Sequence, residues 1–118
     1  MYDNLYCKVF IDTSLSYEEL FSIIIDFTGG KKESFRDIAA DWCDISVRKN
    51  KEYSLEQYLS DPTDFIYWKY FLDMEPGNIE ERGYIKRVAD LLKHLKEHCT
   101  GVFAACDFEE ELEEKGND

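Results

Sequence analysis

Residues 64–76 read DFIYWKYFLDMEP, and this stretch determines the fold that the sequence predicts. Apolar residues recur there at every second position from Ile66 to Met74, through Trp68, Tyr70 and Leu72. Because successive side chains of a strand point to opposite faces, this alternation predicts a strand with one buried face. The other face carries Phe65, Tyr67, Lys69, Phe71, Asp73 and Glu75, and Pro76-Gly77 ends the run. We expect a strand this long and aromatic to lie in the middle of a sheet.

Two strands and a helix are predicted before this stretch. Residues 5–12, LYCKVFID, alternate between a mainly aliphatic face and an aromatic and charged face, which indicates the first strand. Ser16 and Glu19 have the spacing of a capping box, so a helix begins there and ends at Gly29-Gly30. Residues 38–49 are the second strand. It points Cys43, Ile45 and Val47 inward and Trp42, Asp44, Ser46 and Arg48 outward.

The elements on either side of the central stretch complete the pattern. Residues 50–63 form a long polar connection, with a short helix at Leu55, Tyr58 and Leu59. Asn78 and Glu81 repeat the capping pattern and begin a second long helix, which Gly101 ends. Its apolar stripe follows helical spacing and contains Tyr84, Ile85, Val88, Leu91, Leu92, Leu95 and Cys99. Residues 102–108, VFAACDF, are the last strand.

The element order is therefore strand, helix, strand, strand, helix, strand. Strands that are joined through helices return to one sheet with the helices on the same side. This predicts an α+β fold of the ferredoxin-like βαββαβ type, a four-stranded antiparallel sheet with two helices on one face. We expect one domain over residues 1–108 and an acidic tail over residues 109–118.

Charge and cysteine content narrow the class of protein. The chain has 118 residues, a net charge of −12 and 44% hydrophobic residues, which fits a folded domain and disfavours binding to nucleic acid or to an anionic membrane. Half of that charge lies in residues 107–118. Cys7, Cys43, Cys99 and Cys106 form no CxxC pair, so they predict free thiols in a cytoplasmic protein. The N-terminal residues lack the features of a signal peptide, and no stretch is apolar enough to span a membrane.

The strand face opposite the helices is the candidate binding site. Aromatic residues with a few charges among them are typical of the centre of a protein interface. The predicted members are Tyr6, Phe10, Trp42, Arg48, Tyr67, Lys69, Phe71 and Asp73. Either the connection 50–63 or the tail folds over this face, or a partner or second copy of the chain covers it. Glu109, Glu110 and Glu111 form an acidic strip that could pack on the domain or face a basic partner.

The sequence offers little support for catalysis. It contains no GxSxG, P-loop, GxGxxG or HExxH pattern, and we predict neither catalytic residues nor a cofactor. His94 and His98 lie four residues apart on a helix, where they could bind zinc or copper, but solvent-facing histidines near a helix C-terminus are the simpler interpretation. The alternative function is a small-ligand-binding protein or metabolic enzyme that uses the open sheet face as a pocket floor.

Two stretches together resemble a family of small bacterial proteins. They are DFIYWKYFLDMEP at 64–76 and ACDFEEEL at 105–112, so the resemblance covers about the last half of the chain. Some members of that family look like immunity proteins, which neutralise polymorphic toxins made by the same cell. The resemblance implies a cytoplasmic, non-catalytic binder whose acidic surface blocks a basic toxin. The chain lacks the proline that the family pattern would place directly after ACDFEEEL.

Overall fold

The computed structural model describes residues 2–116. They form an antiparallel sheet with helices packed against it. The strands are β1 (Cys7–Asp12), β2 (Lys31–Lys32), β3 (Asp37–Ala39), β4 (Cys43–Lys49), β5 (Tyr70–Pro76) and β6 (Gly101–Ala105). The helices are α1 (Tyr17–Thr28), α2 (Leu55–Ser60), α3 (Glu81–Lys96) and α4 (Glu109–Gly116), and a 3₁₀ turn covers Phe65–Tyr67. The sheet order is β2-β3-β4-β5-β1-β6. The α+β class is confirmed.

The predicted number of four strands is wrong, because the sheet within residues 2–116 has six. The segment 38–49, predicted as one strand, breaks into β3 and β4 at a turn in which the Ala40 N–H donates to the Cys43 carbonyl at 2.9 Å. Lys31 and Lys32 add the short strand β2 on the outer side of β3. The four predicted strands lie beside one another as β4-β5-β1-β6, and β2 and β3 extend the sheet beyond β4.

The core lies between one face of the sheet and the helices α1 and α3. Alternate residues of β1, β4 and β5 are buried, as their period-two pattern predicts. Every apolar position that was predicted within α3 is also buried. We call the opposite side of the sheet the helix-free face; its residues include Lys8 and Phe10 of β1, Arg48 of β4 and Phe71 of β5.

The capping signals were correct for α1 and misplaced for α3. Ser16 accepts a hydrogen bond from the Glu19 backbone, the Glu19 side chain accepts one from the Ser16 backbone, and Gly29 ends α1 in the left-handed conformation with φ 70°. The residue before α3 is Glu80 rather than Asn78, and no side chain caps it. The helix ends at Lys96, so Cys99 lies beyond it and is only half-buried.

The central strand begins at Tyr70, six residues later than predicted. Asn50 explains the difference, because its side-chain amide donates to the carbonyls of Ile66 at 2.8 Å and Trp68 at 2.7 Å. These bonds hold the preceding segment as a 3₁₀ turn. The Trp68 indole donates to the Pro62 carbonyl at 2.8 Å and lies on Gly101, where an added Cβ would be 2.6 Å from the ring.

The acidic segment 109–118 begins as a helix that packs on the domain. Phe108 and Leu112 are buried beside α3, and the Phe108 ring meets the edges of Tyr2 and Tyr84 at centroid distances of 5.9 and 6.0 Å. The two apolar residues thus dock α4, one of the two possibilities that the sequence left open. Residues 117 and 118 of the predicted tail lie outside the described residues.

Candidate functional site

Four phenylalanines form a cluster on the helix-free face. Phe10 of β1 lies 5.0 Å from Phe65 and 6.3 Å from Phe71, and Phe65 stacks on Phe103 at 4.2 Å between ring centroids. All four are half-buried. Lys8 lies above the cluster, with Nζ 4.2 Å from the centre of the Phe71 ring. Two parts of the chain reach this face: Phe65 of the 3₁₀ turn packs on Phe10 and Phe103, and Tyr58 of the connection 50–63 donates a hydrogen bond to Asp12 Oδ2 at 3.1 Å at the end of β1.

A polar network adjoins the phenylalanine cluster. Tyr6 donates a hydrogen bond to Asp73 Oδ1, and Arg48 Nε lies 3.5 Å from Asp73 Oδ2. Burial and the hydrogen bond to Asp73 raise the pKa of the Tyr6 hydroxyl. The network fixes the orientation of the Asp73 carboxylate from two sides.

Two carboxylates face each other at the end of the same face. Asp44 of β4 is the direct cross-strand partner of Glu75 of β5, and both side chains are exposed. Neither forms an ion pair with a described residue. Like charges directly opposite each other destabilise a strand pair. A cation placed between them from outside would therefore lower the free energy of this end of the sheet.

The structure brings five of the predicted site residues together. Phe10, Arg48, Phe71 and Asp73 are neighbours across β1, β4 and β5, and Tyr6, directly before β1, joins them through its hydrogen bond to Asp73. Tyr67 belongs to the 3₁₀ turn, and Lys69 lines a shallow pocket with Asp12 and Tyr58, because β5 begins only at Tyr70.

The predicted outward position of Trp42 is wrong. Its side chain is buried in the core, 6.3 Å from the Tyr84 ring, and its indole N–H points to the Thr28 carbonyl at 3.4 Å. Trp42 precedes β4 and lies in the turn that breaks the predicted strand, so the period-two alternation does not extend to it.

The site residues that the prediction omitted are Phe65 and Phe103. Phe65 lies on the predicted outer face of the long strand, although the predicted site does not include it. Phe103 pairs with Phe10 in the register of β6 against β1. The alternation of residues 102–105 carried that signal, because Val102 and Ala104 pair with buried residues of β1.

The acidic strip on α4 contacts the N-terminal segment. Glu110 is exposed, whereas Glu109 and Glu111 are half-buried. The Tyr2 hydroxyl donates to Glu111, and the Tyr2 N–H donates to Glu81 Oε1 at 3.1 Å. The hydrogen bond to Glu111, with the nearby carboxylates, raises the pKa of Tyr2 to about 12. Carboxylates from α3 and α4 therefore meet around Tyr2.

All four cysteines are free thiols. Cys7 and Cys43 are buried, and burial raises the pKa of Cys43 to about 12. A hydrogen bond between Cys7 and Cys106 raises the pKa of Cys7 and lowers that of Cys106. The arrangement keeps the buried thiol protonated and makes the half-buried Cys106 the more acidic of the two.

His94, Glu97 and His98 form a cluster at the end of α3. Their potential ligand atoms lie within 4.8 Å of one another. His94 is half-buried and stacks on Phe27 at 4.6 Å, so only His98 is the exposed histidine that the sequence predicted. The three groups have the chemistry of a partial metal site, which lacks a fourth protein ligand among the residues grouped there.

Comparison with protein families, curated proteins and solved structures finds no match to this chain. Its helices within residues 2–116 are too short or too polar to cross a membrane.

Proposed function

We propose that the protein is a non-catalytic binding domain of the immunity type, which blocks a basic toxin through its helix-free face. The observation that supports this most directly is the composition of that face. Half-exposed phenylalanines occupy one part, and the unpaired carboxylates of Asp44 and Glu75 occupy another. Aromatic anchors beside charged groups are typical of interface centres.

The charge of the chain supports a basic partner. With a net charge of −12, the protein attracts a cationic surface over distances of about a Debye length, roughly 8 Å at physiological salt. A lysine or arginine of the partner between Asp44 and Glu75 would remove the repulsion between these carboxylates. The phenylalanine cluster would supply the buried apolar contact.

The fold suits such a role. We further propose that β1, β4, β5 and β6, with α1 and α3, form a ferredoxin-like unit that β2, β3 and α4 extend. The neighbour order β4-β5-β1-β6 supports this proposal. An inhibitor of a toxin made in the same cell would act in the cytoplasm, a compartment that free thiols suit.

The test is co-expression with a toxin domain chosen from the genes that neighbour the one for this chain. We expect the parent chain to restore growth and to form a one-to-one complex with that domain. Phe71→Ala should weaken the complex by about 2 kcal/mol if Phe71 is an anchor. Phe27→Ala is the matched control, because Phe27 is 40% exposed on α1, on the other side of the sheet.

A double variant that neutralises two carboxylates distinguishes electrostatic steering of the partner from apolar packing at the interface. Asp44→Asn with Glu75→Gln should slow association by on the order of 3- to 10-fold and reduce its dependence on salt. Asp26→Asn with Glu56→Gln removes the same charge from exposed sites on α1 and α2 and should leave the rate near that of the parent. No protection and no complex with the toxin would refute the immunity function. If neither Phe71→Ala nor the Asp44→Asn, Glu75→Gln double variant changes the affinity or the association rate of the complex, the assigned face is refuted.

A further inference from the structure

A groove at the end of β4 concentrates positive charge in a strongly acidic chain. Its volume is about 800 Å³. Fourteen lysines and arginines occur in the whole sequence, and six of them line this groove, whereas Glu18 and Glu52 are the only carboxylates that do so within the described residues. The six are Lys8, Lys32, Arg36, Arg48, Lys49 and Lys51. The groove is therefore a local cationic site on a protein that otherwise repels anions.

Aromatic rings, rather than carboxylates, accompany most of these cations. Lys49 Nζ lies 5.5 Å from the Tyr17 ring, and Lys32 Nζ lies 5.5 Å from the Phe21 ring. Of the six, only Arg48 has a carboxylate within 4.0 Å among the described residues, and its Nε is buried without a hydrogen bond. The cationic groups thus keep most of their hydrogen-bonding capacity for a ligand.

The rim of the groove offers a flat apolar surface. Phe35 is 73% exposed there, and the Arg36 guanidinium lies 5.4 Å from the centre of its ring. An exposed phenylalanine beside an arginine can stack with a planar ring, while neighbouring lysines bind an anionic group. The backbone around this point is held by the Tyr17 hydroxyl, which donates to the Val47 carbonyl at 2.6 Å.

From these features we propose that the groove binds a small phosphorylated molecule with a planar ring, of the nucleotide class. The volume lies within the range of roughly 300–1,000 Å³ that is typical of small-molecule sites. Phosphate groups match lysine and arginine donors in charge and geometry. A nucleic-acid polymer fits less well, because it would extend beyond the groove over a surface that carries the negative charge of the chain. The groove shares Lys8, Arg48 and Phe71 with the helix-free face, but its argument does not rest on the toxin-binding role.

The test is calorimetric titration of the full chain at low salt, without magnesium, with ATP, inorganic tripolyphosphate and adenosine as probes. We expect ATP to bind with one-to-one stoichiometry. Tripolyphosphate should bind about tenfold more weakly, since it lacks the ring, and adenosine more weakly still. Phe35→Ala should weaken ATP binding and leave tripolyphosphate binding unchanged.

Charge variants locate the site. Arg36→Gln and Lys49→Gln should each weaken ATP binding by about tenfold, as expected for loss of one charge-assisted hydrogen bond. Lys96→Gln makes the same charge change at an exposed position on α3 outside the groove and should have no effect. Circular dichroism and urea melts of each variant establish that the fold is retained.

Four results would overturn the proposal. The first is no ATP binding at millimolar concentration. The second is ATP binding that responds to Lys96→Gln as strongly as to Arg36→Gln. The third is binding of an acidic peptide with the sequence of residues 107–116 in place of ATP, which would assign the groove to acidic protein segments. Equal responses of ATP and tripolyphosphate to Phe35→Ala would refute the ring contact and, with it, the nucleotide class.

Discussion

The Tyr6 hydroxyl makes the free energy of unfolding depend on pH. Its pKa is raised by burial and by the hydrogen bond to Asp73. Above about pH 10 the unfolded chain ionises this tyrosine, whereas the folded chain keeps the proton. The unfolded state then binds fewer protons, so the free energy of unfolding falls as pH rises. The contribution is fully present below pH 10 and is lost through the alkaline range.

The Tyr6→Phe variant tests this linkage. It has no proton to lose at this position, so its free energy of unfolding should fall less steeply than that of the parent between about pH 9.5 and 11.5. At neutral pH it should be less stable by about 1–3 kcal/mol, because Asp73 loses a hydrogen bond. Urea melts at a series of pH values measure both effects. Tyr53→Phe, at a 41% exposed tyrosine, is the control, and equal slopes for both variants would contradict the prediction.

At the scale of elements, the packing of α3 on the sheet supplies much of the core. Leu92 is 6% exposed on the buried side of α3, whereas Leu55 of α2 is 57% exposed. Leu92→Ala should lower the free energy of unfolding by about 2–5 kcal/mol, through lost burial and a residual cavity.

Leu55→Ala is the matched control for Leu92→Ala. It makes the same chemical change at the surface and should cost less than about 0.5 kcal/mol. Denaturant melts with the two variants side by side provide the comparison. A loss below about 1 kcal/mol for Leu92→Ala would show that this residue contributes little to the core.

The elements that the sequence predicted well are those whose signals are local. The capping box of Ser16 and Glu19, the left-handed Gly29 and the apolar stripe of α3 each depend on residues within a few positions of one another. The same holds for the inward alternation of β4.

The elements that were misplaced depend on contacts distant in sequence. Residues 64–69 alternate like a strand, but the side chain of Asn50, fourteen or more residues away, binds their carbonyls and holds a 3₁₀ turn. Local alternation predicts an outward Trp42, but Trp42 lies in a turn that a distant residue stabilises. Just after β5, the Gly77 N–H donates to the Trp42 carbonyl at 2.8 Å. For the same reason, the clustering of Phe65 with Phe103 could not be read from either segment alone.

At the scale of the whole molecule, net charge and the phenylalanine cluster act in opposite directions on self-association. Two copies with a charge of −12 repel each other, while the helix-free face offers apolar surface to a second copy. We expect any dimer formed through this face to become more populated as salt increases, because salt screens the repulsion and leaves the apolar contact.

Light scattering between about 50 and 500 mM salt tests this expectation. Phe71→Asp should abolish the salt-dependent association, whereas Leu59→Asp adds the same charge at a 68% exposed residue of α2 and should alter it little. Association that decreases with salt would instead indicate contacts between unlike charges. The apolar face would then be excluded as the basis of a dimer.

The two tryptophans lie on opposite sides of the sheet, so each side contains one intrinsic fluorophore. Trp42 is enclosed between α3 and the sheet, and Trp68 lies on Gly101 at the edge of the helix-free face. A soluble quencher should reach the half-buried Trp68 more readily than Trp42. A molecule that covers the helix-free face would shield one emission and leave the other unchanged, so the chain reports without a label which of its sides is occupied.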